Sequence, residues 1–175
     1  MLRTASLVAA LVALALPIAA GATGNTGQVS TTREPSLESL VLQRINEVRA
    51  AYGLGRLGAS TGLSRAAVAH SRAMAVNGFF AHESQNGTPF WQRLKTFYGP
   101  HASGWTVGEN LAMFGGVRPD AAAIVTAWMA SPPHRANLLS GSFSDAGIAI
   151  LHDPVGKGVY GGASTWIVTL DVGAR

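Results

Sequence analysis

The sequence predicts an α+β domain in which about four helices precede a small antiparallel sheet. Apolar residues recur at helical spacing in four segments between residues 36 and 131. Two later segments, 146–151 and 166–170, are rich in Ile, Val, Ala and Trp, and a turn with Pro and Gly separates them. Helices followed by strands favour a layered domain whose helices cover one or both faces of the sheet.

Each predicted helix has a start or stop signal. Ser36 is a suitable N-cap for the first helix, and Ser60 or Thr61 can cap the second, which Asn77-Gly78 ends. Pro119-Asp120 is a start signal for the fourth helix. Ser131-Pro132-Pro133 ends the fourth helix and opens a short new turn through about Leu139. The predicted helices cover residues 36–53, 60–77, 88–95 and 120–131. The segment from residue 98 to 108 contains three glycines and a proline and is predicted as a loop.

The chain divides into three predicted parts. Residues 1–22 are typical of an export signal, with Arg3, an apolar run of ten residues from Leu7 to Leu16, and a small-x-small cleavage site. A membrane span needs roughly 20 apolar residues, so cleavage is favoured over a retained membrane anchor. Residues 23–35 are predicted to be a flexible tether and 36–175 a single domain. We expect a secreted or periplasmic monomer with no membrane span after signal cleavage.

Composition excludes several classes of site. The chain has no cysteine, so a thiol nucleophile and a thiolate metal site are impossible. Any metal site must use His, Asp or Glu. The net charge of +4 comes from scattered basic residues rather than a dense cluster, which argues against nucleic-acid binding. A mildly basic surface is compatible with anionic polymers of the cell envelope.

Four segments together carry a family resemblance. The segments are Ala69-His70-Ser71-Arg72-Ala73-Met74 with Phe80-Ala81-His82, Gly108-Glu109-Asn110-Leu111-Ala112, Ala127-Trp128-Met129-Ala130-Ser131-Pro132-Pro133-His134-Arg135-Ala136-Asn137-Leu138-Leu139, and residues 143–150 ending in Gly147-Ile148-Ala149-Ile150. With these segments the chain resembles the CAP superfamily of cysteine-rich secretory, antigen 5 and pathogenesis-related 1 proteins, also called SCP domains, and in particular its cysteine-free bacterial branch. The resemblance covers residues 36 to 172.

The resemblance implies a three-layer α-β-α sandwich outside the cytoplasm, with a cleft of His and Glu side chains. In some members this cleft binds a divalent metal, often zinc. The chain departs from the eukaryotic pattern, because no Glu shortly follows Trp128 and the late strand Trp166–Asp171 lacks the Gly-His-x-Thr-Gln segment. His82 and Glu109 match the family site, whereas His134 belongs to the bacterial Ser-Pro-x-His motif.

The candidate site therefore consists of His82, Glu109 and His134, as catalytic groups or metal ligands. A neutral imidazole at His82 can bind metal or move a proton, or can simply bond to the backbone. Glu109 lies in an apolar stretch and must be paired or metal-bound, with Arg135 or backbone N–H groups as alternative partners. His134 falls in the first turn of a helix, where the positive helix end disfavours imidazolium. It could instead lock a helix corner.

The remaining His and Trp residues receive simpler interpretations. His70 lies on the apolar face of the second helix and is predicted to be core, whereas His101 and His152 are predicted to lie at the surface. Trp128 and Trp166 are predicted to be core. Trp91 and Trp105 are the better candidates for an exposed glycan or lipid groove.

Three functions remain open. The first is a non-catalytic binding domain for an extracytoplasmic lipid, glycan or protein, in which the cleft holds a divalent metal such as zinc. The second is a metal-assisted hydrolase of an envelope polymer or peptide, with Glu109 as ligand or general base. The third is an interaction module whose His/Glu cluster only stabilises the fold.

Overall fold

A computed structural model describes residues 31–101 and 104–175. The predicted export signal and the first eight residues of the predicted tether lie outside this part of the chain. Within it, there are five α-helices and five strands, and a short 3₁₀ turn covers Gly158–Tyr160. The helices are α1 Pro35–Ala51, α2 Thr61–Asn77, α3 Phe90–Phe97, α4 Ala121–Ala130 and α5 Pro132–Leu138. The strands are β1 Thr32–Arg33, β2 Gly58–Ala59, β3 Thr106–Gly115, β4 Asp145–Asp153 and β5 Thr165–Ala174.

The sheet is antiparallel along the order β1-β4-β5-β3, and β2 joins β4 in parallel. Successive strand residues point to opposite faces of the sheet. Strand β5 shows this alternation clearly. Val168, Leu170 and Val172 pack with α1, α4 and α5, while Ile167 packs with residues of α2. Helix α3 packs against α2 on that second face. The protein is thus a three-layer α-β-α sandwich, as the sequence predicts, with α5 as an additional short helix.

Strand β3 is the main departure from the sequence-based expectation. It begins at Thr106, inside the segment predicted as a loop, and pairs with β5 over its whole length. Its outer edge is covered rather than open: the indole Nε1 of Trp128 donates to Leu111 O at 3.1 Å, and Asn137 Nδ2 donates to Glu109 O at 3.2 Å. Side chains from α4 and α5 therefore satisfy the backbone groups that an edge strand leaves unpaired.

The other differences concern element boundaries. Helix α1 begins at Pro35, so Ser36 is inside the helix and not its N-cap. Thr32 and Arg33 pair with β4, which means that the predicted tether ends before them. The capping signals of α2 and α4 are confirmed. The hydroxyl of Ser60 accepts from Leu63 N at 3.4 Å, and the carboxylate of Asp120 accepts from Ala123 N at 2.7 Å.

Helix α2 lies directly on the sheet. Its buried face includes small residues such as Ala66 and Ala67, and it faces Gly147 of β4. A Cβ added at Gly147 would lie 2.1 Å from the carbonyl carbon of Leu63, inside the helix backbone. This close approach fixes the position of α2, and with it the loop that follows. In the part of the chain that the structure describes, no helix has both the length and the apolar character needed to cross a membrane.

Candidate functional site

Glu109 is the centre of a buried polar cluster beneath α2 and α3. Its side chain is 0% exposed and points from β3 towards these helices. One carboxylate oxygen, Oε1, accepts a hydrogen bond from Nδ1 of His82 at 2.8 Å. The other, Oε2, accepts from Nη2 of Arg93. The structure therefore brings two of the predicted residues into direct contact and adds Arg93, which the sequence analysis did not single out.

The positions of His82 and Arg93 follow from the elements that carry them. His82 lies in the loop after α2, which Gly78 ends in a left-handed conformation with φ of 68°. Arg93 belongs to α3, whose Phe90 and Leu94 are buried. Its Nη1 donates to the carbonyl of His82 at 3.1 Å and lies 3.4 Å from the hydroxyl of Ser84. One guanidinium thus holds both the carboxylate and the loop that presents the imidazole.

The electrostatics of the cluster keep Glu109 ionised. Burial opposes ionisation, but the hydrogen bond from His82 and the charge of Arg93 together lower the pKa of Glu109 below its usual range. An ionised carboxylate accepts hydrogen bonds and cannot donate them. It therefore holds the His82 ring with Nδ1 as the hydrogen-bond donor, which fixes the orientation of the imidazole.

Asp171 is a second buried carboxyl group of the same cluster. It is the residue directly opposite Glu109 in the β3–β5 ladder, so both side chains lie on one face. Neither of its oxygens has a hydrogen-bond partner among the described residues, and the residue is fully buried. Burial, and then the charge of Glu109, raise the pKa of Asp171 well above its usual range. The protonated acid is therefore favoured next to the ionised Glu109.

His70 closes the cluster from α2. Its Nε2 donates to the carbonyl of Ala81 at 2.8 Å, which ties the helix to the loop before His82. Burial lowers the pKa of His70 to about 4, so the ring is neutral at physiological pH. The prediction that His70 belongs to the core is confirmed, since the residue is 1% exposed. Its contact with the loop gives it a positioning role as well.

His134 is linked to the strand that carries Glu109 through its own backbone carbonyl. It is buried in the first turn of α5, after Ser131 and Pro132, as the sequence predicts. Its carbonyl accepts from Nδ2 of Asn110 at 3.0 Å, and the side chain of Asn137 bonds to both Asn110 and the carbonyl of Glu109. His134 also lines a small cavity of about 50 Å³ between β3 and α4. Helix α5 is thereby fixed to the strand that carries Glu109.

Several alternative interpretations are wrong. Arg135 does not pair with Glu109; its guanidinium instead donates to the Tyr52 hydroxyl at 3.1 Å and lies over that ring. Glu109 is held by side chains rather than by backbone N–H groups. His152 is partly buried, because its ring stacks on Trp166 with centroids 4.2 Å apart.

The tryptophans also have clear positions. Trp128 and Trp166 are buried, which confirms their assignment to the core. Trp91 and Trp105 are half-buried and pack against the cluster of α2 and α3 side chains that includes Leu63. The indole of Trp105 donates to the carbonyl of Tyr98 at 2.6 Å, which fixes this ring beside the end of α3, and the groove assigned to it stays a prediction.

The donor set offers limited support for a metal centre. No three His, Asp or Glu side chains in the described ranges are grouped so that they could hold a metal ion. Both oxygens of Glu109 already accept hydrogen bonds, and one of the donors is the cationic Arg93. A second cation beside this guanidinium would be repelled. As arranged, His82, Glu109 and His134 do not fit a three-ligand centre, and metal binding stays a prediction.

The family is established by sequence. The family model of the cysteine-rich secretory protein (CAP) family matches residues 42–170, and the chain therefore belongs to this family. The chain is 36% identical over 124 residues to the uncharacterized protein YkwD of Bacillus subtilis (strain 168), a match that covers 68% of this chain and 46% of that protein. It is 29% identical over 113 residues to the uncharacterized membrane protein YlbC of the same organism, covering 65% and 31% respectively. The chain thus spans less than half the length of these curated relatives.

Solved structures share the fold. An extracellular protein containing an SCP domain from Bacillus anthracis str. Ames superposes with a TM-score of 0.63 at 24% identity, covering 81% of this chain and 41% of that one. An outer surface protein from Borrelia burgdorferi has a TM-score of 0.63 at 17% identity and covers 83% and 99%. A cysteine-rich secretory protein from Staphylococcus aureus subsp. aureus Mu50 has a TM-score of 0.60 at 18% identity and covers 81% and 39%.

Proposed function

We propose that this CAP-family chain acts outside the cytoplasm as a non-catalytic binding module for a lipid, glycan or protein. Its family and the extracellular or outer-surface descriptions of proteins that share its fold support this location. Residues 1–22 have the composition of an export signal, which supports it independently.

The observation that carries the non-catalytic role is the burial of Glu109, both of whose oxygens already accept a hydrogen bond. A general base needs a carboxylate oxygen within reach of the proton that it removes. Here one oxygen is bound by His82 and the other by Arg93, and the side chain is 0% exposed. The His82 side chain, 7% exposed, is the outer member of the pair. Glu109 therefore orients a recognition residue and does not itself meet a substrate.

The aromatic neighbour of His82 supports recognition of a partly apolar ligand. The ring of Phe90 lies with its centroid 6.2 Å from that of His82, in a tilted arrangement. Binding sites combine a mostly apolar lining with a few fixed polar groups. The site offers one imidazole held in a defined orientation beside an aromatic ring.

Export is tested by recovering the protein from a bacterial host that expresses residues 1–175. We expect the protein outside the cytoplasm, with an N-terminus created by cleavage after about Ala22. A matched variant with Leu11→Arg in the apolar run should remain inside, because a charge interrupts that run. Full-length protein retained in the cytoplasm would overturn the location.

Catalysis is tested with purified protein, an isolated cell-envelope preparation and added zinc. We expect no release of soluble fragments above the level of a heat-treated control. Release that depends on Glu109 and disappears in Glu109→Gln, while that variant still folds by circular dichroism, would overturn the non-catalytic role.

Elemental analysis of the same samples tests the metal prediction. The His82→Ala, His134→Ala double variant and an exposed His101→Ala control show whether any bound zinc depends on these rings.

A further inference from the structure

A second cleft lies on the outer side of α2 and has a different chemistry. Its volume is about 480 Å³, and it opens between α2, the β1 and β2 segments and the end of α3. Its lining combines arginines and hydroxyl groups and includes no acidic residue. The lining residues are Arg33, Ala59, Ser60, Thr61, Ser64, Arg65, Val68, Ala69, Arg72 and Phe97. We call it the arginine cleft.

Arg65 and Arg72 are the principal charges of the arginine cleft. They are exposed and lie seven residues apart on α2, which places them on one side of the helix, about 10 Å apart along its axis. Neither forms an ion pair with any residue that the structure describes. Arg33 differs, because its guanidinium donates twice to the carboxylate of Glu38, at 2.8 and 2.6 Å. The positive charge available to a ligand therefore comes from Arg65 and Arg72.

The cleft also has features that orient an anion. The guanidinium of Arg65 lies 5.7 Å from the ring centroid of Phe97, a cation–π contact that restricts its motion. Three hydroxyl groups, those of Ser60, Thr61 and Ser64, line the cleft close to the start of α2. The first amides of the helix add a partial positive charge there. Two separated cations, hydroxyl groups at the Arg65 end of the cleft and an open shape fit an extended anion better than one compact ion.

We propose that the arginine cleft binds an anionic polymer of the cell envelope that carries phosphate or carboxylate groups at regular intervals. Guanidinium groups bond both kinds of anion with two parallel hydrogen bonds, so the shared chemistry is the repeated oxyanion. Positions 65 and 72 are about 10 Å apart along the helix axis, a span that a chain of oxyanions can cover with one group at each arginine. The envelope setting rests on the proposed export of the protein. The binding itself is independent of export and of the Glu109 site.

The test measures binding of purified protein to two probes, inorganic polyphosphate and polygalacturonate, over a range of salt concentrations. We expect the Arg65→Gln, Arg72→Gln double variant to lose at least tenfold in affinity. The slope of log K against log salt should fall by about two, one for each lost contact. The matched control is Arg56→Gln, Lys157→Gln, which removes the same charge from two exposed positions outside the cleft.

The probes distinguish the two sources of the anion. Tighter binding of polyphosphate supports a phosphate polymer, and tighter binding of polygalacturonate supports a carboxylate polymer. Three results would overturn the proposal: no binding of either probe near physiological salt, an equal loss in the control variant, or tighter binding of single-stranded DNA than of both probes. Since these measurements use purified protein, failure of export would leave them unaffected.

Discussion

The two faces of the sheet are built from the same strands but have opposite chemistry. On the face covered by α1, α4 and α5, alternate residues of β5 are Val168, Leu170 and Val172. On the face covered by α2 and α3, the intervening positions include Thr169 and Asp171. The first face stabilises the fold by apolar burial. The second contains ionised groups whose burial is costly unless each has a partner. The comparison indicates that the second face keeps a buried charged cluster at some cost in stability.

The largest effect is expected on the apolar face, from Trp128→Ala. The side chain is 1% exposed and its indole bonds to β3, so truncation creates a cavity and leaves the carbonyl of Leu111 without its donor. We expect a loss of about 3–5 kcal/mol in the free energy of unfolding, measured by urea denaturation. The exposed Val117→Ala should change it by less than about 0.5 kcal/mol. A loss below about 1 kcal/mol for Trp128→Ala would contradict this view of the apolar face.

On the polar face, Glu109→Gln is expected to cost about 3 kcal/mol. Breaking a buried ion pair leaves an uncompensated charge, here that of Arg93, and such changes cost about 3–5 kcal/mol. Asp171, whose pKa is raised partly by the charge of Glu109, ionises more readily in this variant and partly compensates Arg93, which places the expected loss at the lower end. The control is Glu47→Gln, whose ion pair with Arg44 is solvent-exposed, so that its loss should change the free energy of unfolding far less. A double-mutant cycle with Arg93→Gln should show strong coupling, and additive losses would show that the pair is weak.

The pH dependence of stability tests the same face through His70. Its pKa is lowered to about 4 by burial, so the folded protein resists protonation that the unfolded chain accepts at about 6.5. The associated stability is complete above pH 6.5 and is lost as the pH falls towards 4, amounting to roughly 3 kcal/mol. His70→Gln, which keeps a donor for Ala81, should remove this loss. Identical pH profiles of the two proteins between 7 and 4 would be evidence against it.

The smallest effect, and one of opposite sign, is expected for Asp171→Asn. Because its folded pKa is raised, the unfolded chain releases this proton at lower pH, and stability falls as the pH rises above the unfolded value near 3.9. The variant cannot ionise and should be more stable than the unmodified protein at pH 7. Thermal denaturation at pH 4 and pH 7 measures the difference. A destabilised variant at pH 7 would show that ionised Asp171 contributes favourably.

The apolar periodicity predicted the helices well because their buried faces are regular. The capping residues Ser60 and Asp120 mark the starts of α2 and α4 as expected. Strand β3 was not predicted, because Glu109 and Asn110 interrupt an apolar segment and such residues are depleted in strands. Pairing along the whole of β5 and the hydrogen bonds at its outer edge outweigh that local preference.

Only part of the site is predictable from the sequence, because its side chains come from distant segments of the chain. His82 and Glu109 were identified through a family motif, but no sequence spacing shows that Arg93 meets them. A signal was available: Arg93 lies between the buried Phe90 and Leu94 of a short helix, where a charge requires a partner. Asp171 offered a similar signal, since it alternates with Ile167 and Thr169 in an otherwise apolar strand. Only the fold reveals that both side chains converge on Glu109.

The close contact between Gly147 and the backbone of α2 constrains the buried side of this helix but not its exposed side. Any side chain at this position would push the helix off the sheet, so the buried side of α2 is fixed to within a bond length. The outer side of the same helix has no such restriction, because Arg65 and Arg72 project towards solvent. Ligand preference at the arginine cleft can therefore be altered by substitution without moving His70 or His82. One rigid helix thus allows two surfaces of the protein to diversify independently.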